Sequence, residues 1–236
     1  MNNGPLIIKQ ILMQLLIFVL QLYKMFVDIH THTKSKTRQP SIRNLTLSEA
    51  EAFFSSNTEE IVSVGIHPWH ADDFTEETIC DIEKWLADKR LAAIGECGLD
   101  KNSKATIAKQ LFIFNKQIEL SERFQKPLII HCVGCFNELF ELKHSLKPQQ
   151  LWIIHGFRGK PELAKQALKN GCALSFGEHF NPESVRVTPI EKLYIETDES
   201  DLQIEEVYAQ IAITKDCTPT HLSAGSDFFQ LIEAHK

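Results

Sequence analysis

From Met25 onward the chain repeats one pattern: a short apolar run without polar alternation, then a longer segment with apolar residues at helical spacing. A strand that is apolar on both faces must be covered on both faces, which calls for parallel strands joined by crossover helices. Eight such runs stand at 25–32, 40–45, 60–68, 90–100, 126–132, 150–157, 172–177 and 192–198. Helices are predicted from Thr46 to about Phe54 and over 75–90, about 104–125, 136–145, 161–171 and about 201–213. The first opens on a Thr46-Leu-Ser-Glu49 capping box, and Gly171 stops the fifth. Alternating elements in this number predict an irregular (β/α)8 barrel of the TIM type. An open doubly wound sheet is the alternative, but its Gly-rich first turn is missing, because the first strand ends in His30-Thr31-His32. Without a linker or low-complexity stretch, residues 25–236 are expected to form one domain.

Residues 1–24 read differently. The run LIIKQILMQLLIFVLQLY (6–23) is about long enough to span a bilayer, but Lys9, Gln10, Gln14 and Gln21 interrupt it. It lacks the small-residue cleavage site of a secretory signal. A membrane or surface anchor, an amphipathic helix on the domain and an apolar extension outside the fold all stay open. The extension is favoured over membrane association, because Met25 directly precedes a complete first strand.

Charge narrows the partners. Lys plus Arg number 25 against 31 Asp plus Glu, a net charge of -6, which argues against a duplex-wrapping protein. A phosphate substrate can still bind where metal ions supply local positive charge. Six cysteines are too dilute for a disulfide framework and suit a reducing, cytoplasmic setting. Cys132-Val-Gly-Cys135 has redox spacing, yet a His precedes it directly and no thioredoxin-type context surrounds it.

The residues that end the strands carry the chemistry. His30 and His32, two apart on a strand, share one face. Glu96 ends the fourth run, His131 the fifth, His155 the sixth and Asp198 the eighth. In a parallel barrel all these C-terminal ends meet at one mouth. A lone His after an apolar strand is more often a hydrogen-bonded core residue, but five strands ending in ligand types is hard to obtain by chance. Four His with two carboxylates suit Zn²⁺, Mn²⁺ or similar borderline ions, and six ligands exceed one structural zinc site. Two divalent metals sharing a carboxylate are therefore expected. At the same mouth, Trp69 can stack on a base and Arg158 can contact a phosphate.

In order, DIHTH, GIHPWH, AIGECGLD, PLIIHC, IIHGFRG and LYIETD resemble the signature segments of TatD-like metal-dependent deoxyribonucleases, an amidohydrolase-type barrel family, over about residues 25–200. The resemblance implies that His30, His32, Glu96 and Asp198 hold one metal, and that Glu96, as a bridge, holds the second with His131 and His155. It further implies that Asp198 accepts a proton from the nucleophilic water and that His67 lies near the substrate phosphate. Three departures stand out. Residues 33–40 leave no room for the family's first crossover helix, Val133 occupies a place commonly held by Arg, and Glu199-Ser200 follows the last motif where Pro is frequent. Lys34, Lys36, Arg38 and Arg43 of the first loop are candidate substitutes.

The function expected from this reading is metal-dependent hydrolysis of phosphodiesters, as an exonuclease trimming single-stranded DNA, with no stable protein partner. The alternatives are the same centre acting on an ester or amide, such as an aminoacyl-tRNA ester, and a non-catalytic metal-binding scaffold.

Overall fold

A computed structural model describes residues 26–34 and 37–234; the apolar run at 6–23 and Lys36 lie outside the described residues. Eight strands, β1 (Asp28–Thr31), β2 (Ser41–Leu45), β3 (Ile61–Val64), β4 (Leu91–Asp100), β5 (Leu128–Val133), β6 (Trp152–Ile154), β7 (Ala173–Phe176) and β8 (Leu193–Ile195), form one parallel sheet in sequence order. A parallel bridge between Thr31 and Asp198 joins its two edges into a barrel.

The helices are α1 (Leu47–Phe54), α2 (Glu76–Trp85), α3 (Ile107–Phe124), α4 (Phe136–Leu146), α5 (Pro161–Lys169), α6 (Pro182–Val187), α7 (Ile204–Lys215) and α8 (Ala224–Ala234). The described residues between β1 and β2 hold no helix, as the short 33–40 segment requires. Thr46 caps α1 with the expected box: its hydroxyl accepts from Glu49 N, and the Glu49 carboxylate accepts from Thr46 N. Two helices escaped the sequence reading, α6 and α8.

The continuous apolar runs are explained by two hydrophobic layers. Along β5, Leu128 and Ile130 pack outward under the helices, whereas Ile129 points into the barrel with Ile29, Ile153 and Ala173. Each such Leu or Ile side chain contributes roughly 1.5–3 kcal/mol by leaving water. The α8 residues Phe228 and Phe229 join the inner layer, and α8 contacts β8 and the turn before it, so this helix fills the N-terminal end of the barrel. The strands' C-terminal ends are left to polar residues.

Two buried glutamines of α3 hold those ends in place. Gln117 accepts from Ile66 N at 2.7 Å and donates to Ile66 O at 3.2 Å, one residue before His67. Gln110 accepts from Asp100 N at 2.8 Å and donates to Asp100 O at 3.0 Å.

Candidate metal centre

The seam that closes the barrel also assembles the site. Asp198 N donates to His30 O at 3.0 Å, and His32 N donates to Asp198 O at 3.2 Å, so β1 and the chain after β8 are laced together at their polar ends. Asp198 takes φ 56°, a left-handed conformation that Asp tolerates better than most residues.

Glu96 stands at the centre of six groups. Its Oε1 lies 3.0 Å from His30 Nε2 and 2.7 Å from His32 Nε2. Its Oε2 faces the other side: His155 Nε2 at 3.2 Å, His67 Nε2 at 3.4 Å and His131 Nδ1 at 3.7 Å. Asp198 Oδ1 completes the first side, 3.6 Å from His30 and 3.5 Å from His32. All six residues expected as ligands thus come together. Among the described residues, donor atoms close enough to share an ion fall into three groups: His30, His32, Glu96 and Asp198; His67, Glu96 and His131; His155, Glu196 and Asp198.

The donor set fits bound cations. His30 is fully buried, yet neither ring nitrogen has a hydrogen-bond partner, although Nε2 is near two carboxylates. His155 Nδ1 and Glu196 Oε2 are likewise buried without partners. Buried polar atoms are normally satisfied, so unpartnered nitrogens and oxygens clustered around Glu96 are the expected form of a ligand set. Burial would raise the Glu96 carboxyl, but the surrounding histidines hold it far below the ordinary carboxylate range. Burial opposes a charged His155, and Glu196 and Glu96 outweigh it, pushing the group up to about 9.

Hydrogen bonds assign the free nitrogens. His131 Nε2 sits 2.9 Å from Asp100 Oδ2, so that nitrogen donates and Nδ1 presents its lone pair to the centre. His67 Nδ1 accepts from Trp69 N at 3.1 Å, which places the ring hydrogen on Nε2. Burial and the neighbouring His131 push His67 down to about 4. A neutral His67 carrying Nε2–H is a donor, the form that suits a phosphate oxygen better than a cation, even though it stands against Glu96.

Three carboxylates escaped the sequence reading. Asp100 accepts from the Trp69 indole and pairs with His131. Glu196 accepts from Gly156 N at 2.6 Å and lies 3.5 Å from His155 Nδ1. Asp28 accepts from Thr197 N and Oγ1, fixing the turn before Asp198, and its burial pushes it up to about 7.

A cavity of about 830 Å³ opens over the centre, walled by Leu45, Leu47, Ile66, Phe136 and Phe157, with Trp69 at its edge. Arg158 is its one lining Lys or Arg among the described residues. Two of the candidate substitutes are committed elsewhere: Arg43 Nη2, in β2, and Lys34 Nζ are paired with Glu60 at 2.8 and 3.1 Å.

The family model for TatD related DNase matches residues 41–214. The chain belongs to that family. The match begins after His30 and His32, which the structure nonetheless brings onto the same Glu96 as the later motifs. TatD relatives include the uncharacterized metal-dependent hydrolase YabD of Bacillus subtilis, 33% identical over an alignment of 145 positions that covers 58% of this chain and 57% of YabD. Deoxyribonuclease Tat-D of Schizosaccharomyces pombe is 29% identical over 177 residues, 66% of this chain and 56% of that one. The chain thus matches little more than half the length of these curated relatives. The crystal structure of the TatD homologue YJJV from Escherichia coli K12 shares the fold, with a TM-score of 0.71 at 17% identity, covering 89% of this chain and 96% of that one. A TatD family hydrolase from Entamoeba histolytica gives 0.70 at 16% identity, covering 88% and 97%. Among the described residues no helix is long and apolar enough to cross a membrane, and all six cysteines are free.

Proposed function

We propose that this TatD-family chain is a phosphodiester hydrolase that uses two divalent cations, Zn²⁺, Mn²⁺ or Mg²⁺, to trim single-stranded DNA from an end. The observation that carries the reading is the split of Glu96, with one oxygen toward His30 and His32 and the other toward His155, His131 and His67. His30, His32, Glu96 and Asp198 would hold one cation, and Glu96, His131 and His155 the other. Bound there, such ions supply Lewis acidity and bring the pKa of a water toward neutral pH.

The chain's own residues supply the rest. Asp198, one-quarter exposed at its side chain, is the carboxylate open to the cavity and the acceptor for the nucleophile's proton. His67 donates from Nε2 to a phosphate oxygen, and Arg158 faces the same space. Trp69 is 61% exposed with its indole N–H fixed on Asp100, so its ring face is free to stack on a terminal base for about 1–3 kcal/mol. Support for single-stranded nucleic acid also comes from relatives named 3'-5' ssDNA/RNA exonuclease TatD in Erwinia species.

Ester or amide hydrolysis by the same centre is the second reading. It is favoured by a cavity whose walls are largely apolar and which has a single lining Arg. A metal-binding scaffold without turnover is disfavoured because it does not need the full set of His and carboxylate groups beside a cavity open to substrate.

The deciding experiment is Glu96→Gln, which keeps size and removes the bridging charge. Metal content is measured beside turnover on end-labelled single-stranded DNA and on a panel of simple esters. The expected result is loss of at least one cation per chain and a DNA turnover lower by roughly a hundredfold or more. Unchanged metal content with unchanged rate overturns the two-cation reading, and wild-type turnover of esters alone moves the substrate to the second reading.

A further inference from the structure

A second polar concavity lies at the opposite end of the barrel. Leu151, Gly171 and Lys192 stand just before β6, β7 and β8, so the residues around them surround the strands' N-terminal ends, away from the metal centre. Here a cavity of about 560 Å³ is lined by Lys143, Lys147, Lys169 and Lys192, with Gln149 and Asn170 among its amides. Lys34, Lys84, Lys109 and Lys116 form ion pairs elsewhere, whereas these four have no carboxylate partner among the described residues.

Lys143 is the most telling of them. It is 9% exposed, and its ammonium lies 4.4 Å from the Trp152 ring centroid, with no anion beside it. Burial pushes its pKa down, and Lys192 adds to the effect against Cys172 and Glu122. The Glu122 carboxylate is already held by the Gln149 and Gln150 N–H groups, both at 2.9 Å. The Trp152 face partly compensates the Lys143 ammonium and Lys192 repels it, so an anion entering the cavity would gain a charge-assisted contact there. Lysines in the last turn of a helix complement the helix dipole, and α4 and α5 both end here. Two helix ends contribute only about half a negative charge each, which leaves four ammonium groups in clear excess.

We propose that this basal cavity binds a compact polyphosphate anion, a di- or triphosphate group that is either free or the tail of a nucleotide. A concavity of this size, lined by four lysines, suits a short, highly charged anion better than a long strand, which an extended basic stripe would follow. The site is separate from the metal centre and does not depend on the reading of that centre.

Calorimetric titration of the full chain with inorganic tripolyphosphate, ATP and a single-stranded oligonucleotide tests the proposal. Wild type is run beside the surface pair Lys169→Gln/Lys192→Gln and beside Lys143→Met, with hydrolytic turnover recorded on each sample. Tripolyphosphate is expected to bind once per chain with Kd in the range of roughly 10–100 μM, weakening as salt is raised. The double variant should bind at least about tenfold more weakly, from the loss of two charge-assisted contacts, while turnover in the absence of tripolyphosphate stays at the wild-type level. Tighter binding of ATP assigns the site to a nucleotide tail, and equal or weaker binding assigns it to the free anion. Binding that survives in both variants, or no binding by wild type, overturns the proposal. So does Lys-dependent binding of the oligonucleotide that exceeds tripolyphosphate.

Discussion

Asp100 Oδ2 lies 2.9 Å from His131 Nε2, and the same oxygen accepts the Trp69 indole N–H at 2.7 Å. One buried carboxylate thereby fixes both the ring that faces Glu96 and the aromatic residue at the cavity edge. Asp100 is itself held: Asn102 N donates to Oδ1 at 2.8 Å, and Gln110 brackets its backbone.

Replacing Asp100 with Asn is expected to lower metal affinity or turnover by roughly 10–100-fold, the usual consequence of disturbing a carboxylate that orients a metal-binding His. Trp69→Phe keeps an aromatic face but loses ring area and the indole donor, so its effect should be smaller and fall mainly on KM. Metal content and the separate kcat and KM values of both variants check this. Equal, wild-type-like behaviour would show that His131 needs no support from Asp100.

Metal loading should release protons. Without cations, His155 is pushed up to about 9 and His30 also titrates well above its ordinary value; burial opposes both, and Glu96 with its neighbouring carboxylates wins. Ligation takes the neutral ring, so at pH 7.5 loading is expected to expel about one to two protons per chain, and fewer as pH rises past 9. The sign for stability follows. A raised histidine stabilises the metal-free fold fully below its unfolded value of 6.5, and that contribution disappears as pH rises through about 9. Calorimetry in two buffers of different ionisation enthalpy measures the release; heats that do not depend on buffer contradict it.

The sequence revealed the barrel and the six central groups for one physical reason. Strands buried on both faces leave an unbroken apolar signal, and a charged or imidazole group directly after such a run is conspicuous. The supporting carboxylates were harder to see. Glu196 is two residues from Asp198, but β8 ends at Ile195 and Asp198 turns to positive φ, so strand alternation no longer reports which side chains meet. Asp28 begins β1 among apolar neighbours, and its role depends on Thr197, which the fold supplies from 169 residues away. The helix α6 has six residues, too few for a period to emerge, although Asn181 caps it and Pro182 opens it. The helix α8 gains its place only because the barrel bottom needs filling, which is a tertiary requirement.

Gly98 is where the metal centre meets backbone sterics. It pairs with His131 across β4 and β5 at φ 132°, and an added Cβ would stand 2.2 Å from the His131 carbonyl oxygen. Gly98→Ala is expected to cost about 1–3 kcal/mol from backbone strain alone, lowering Tm by roughly 2–12 °C. Because relief requires β5 to move at His131, bound metal should fall as well. Thermal melting and elemental analysis on one preparation test both parts, and an unchanged Tm would mean that the strand ends yield easily.

The last prediction concerns residues 1–24. The described body is already closed from Phe26 onward: Phe26 N donates to Gln39 Oε1, Asp28 N donates to Pro40 O, and Thr31 bridges to Asp198. The N-terminal end of the barrel, where an apolar segment preceding β1 would most readily insert, is filled by Phe228 and Phe229 of α8 packing against Val27 and Tyr194. Gly225 is closely packed there, since an added methyl group would sit 3.4 Å from Val27 Cβ and 3.3 Å from the Tyr208 hydroxyl. We therefore propose that a chain beginning at Met25 folds into the same metal-binding body. Its Tm is expected within about 4 °C of the full chain, the shift that a difference of roughly 1 kcal/mol gives at this size. Melting followed by far-UV circular dichroism, together with metal content, measures the outcome. Loss of cooperative unfolding would place residues 1–24 in the core, whereas full cooperativity with lost metal would point to a local role beside His30 and His32.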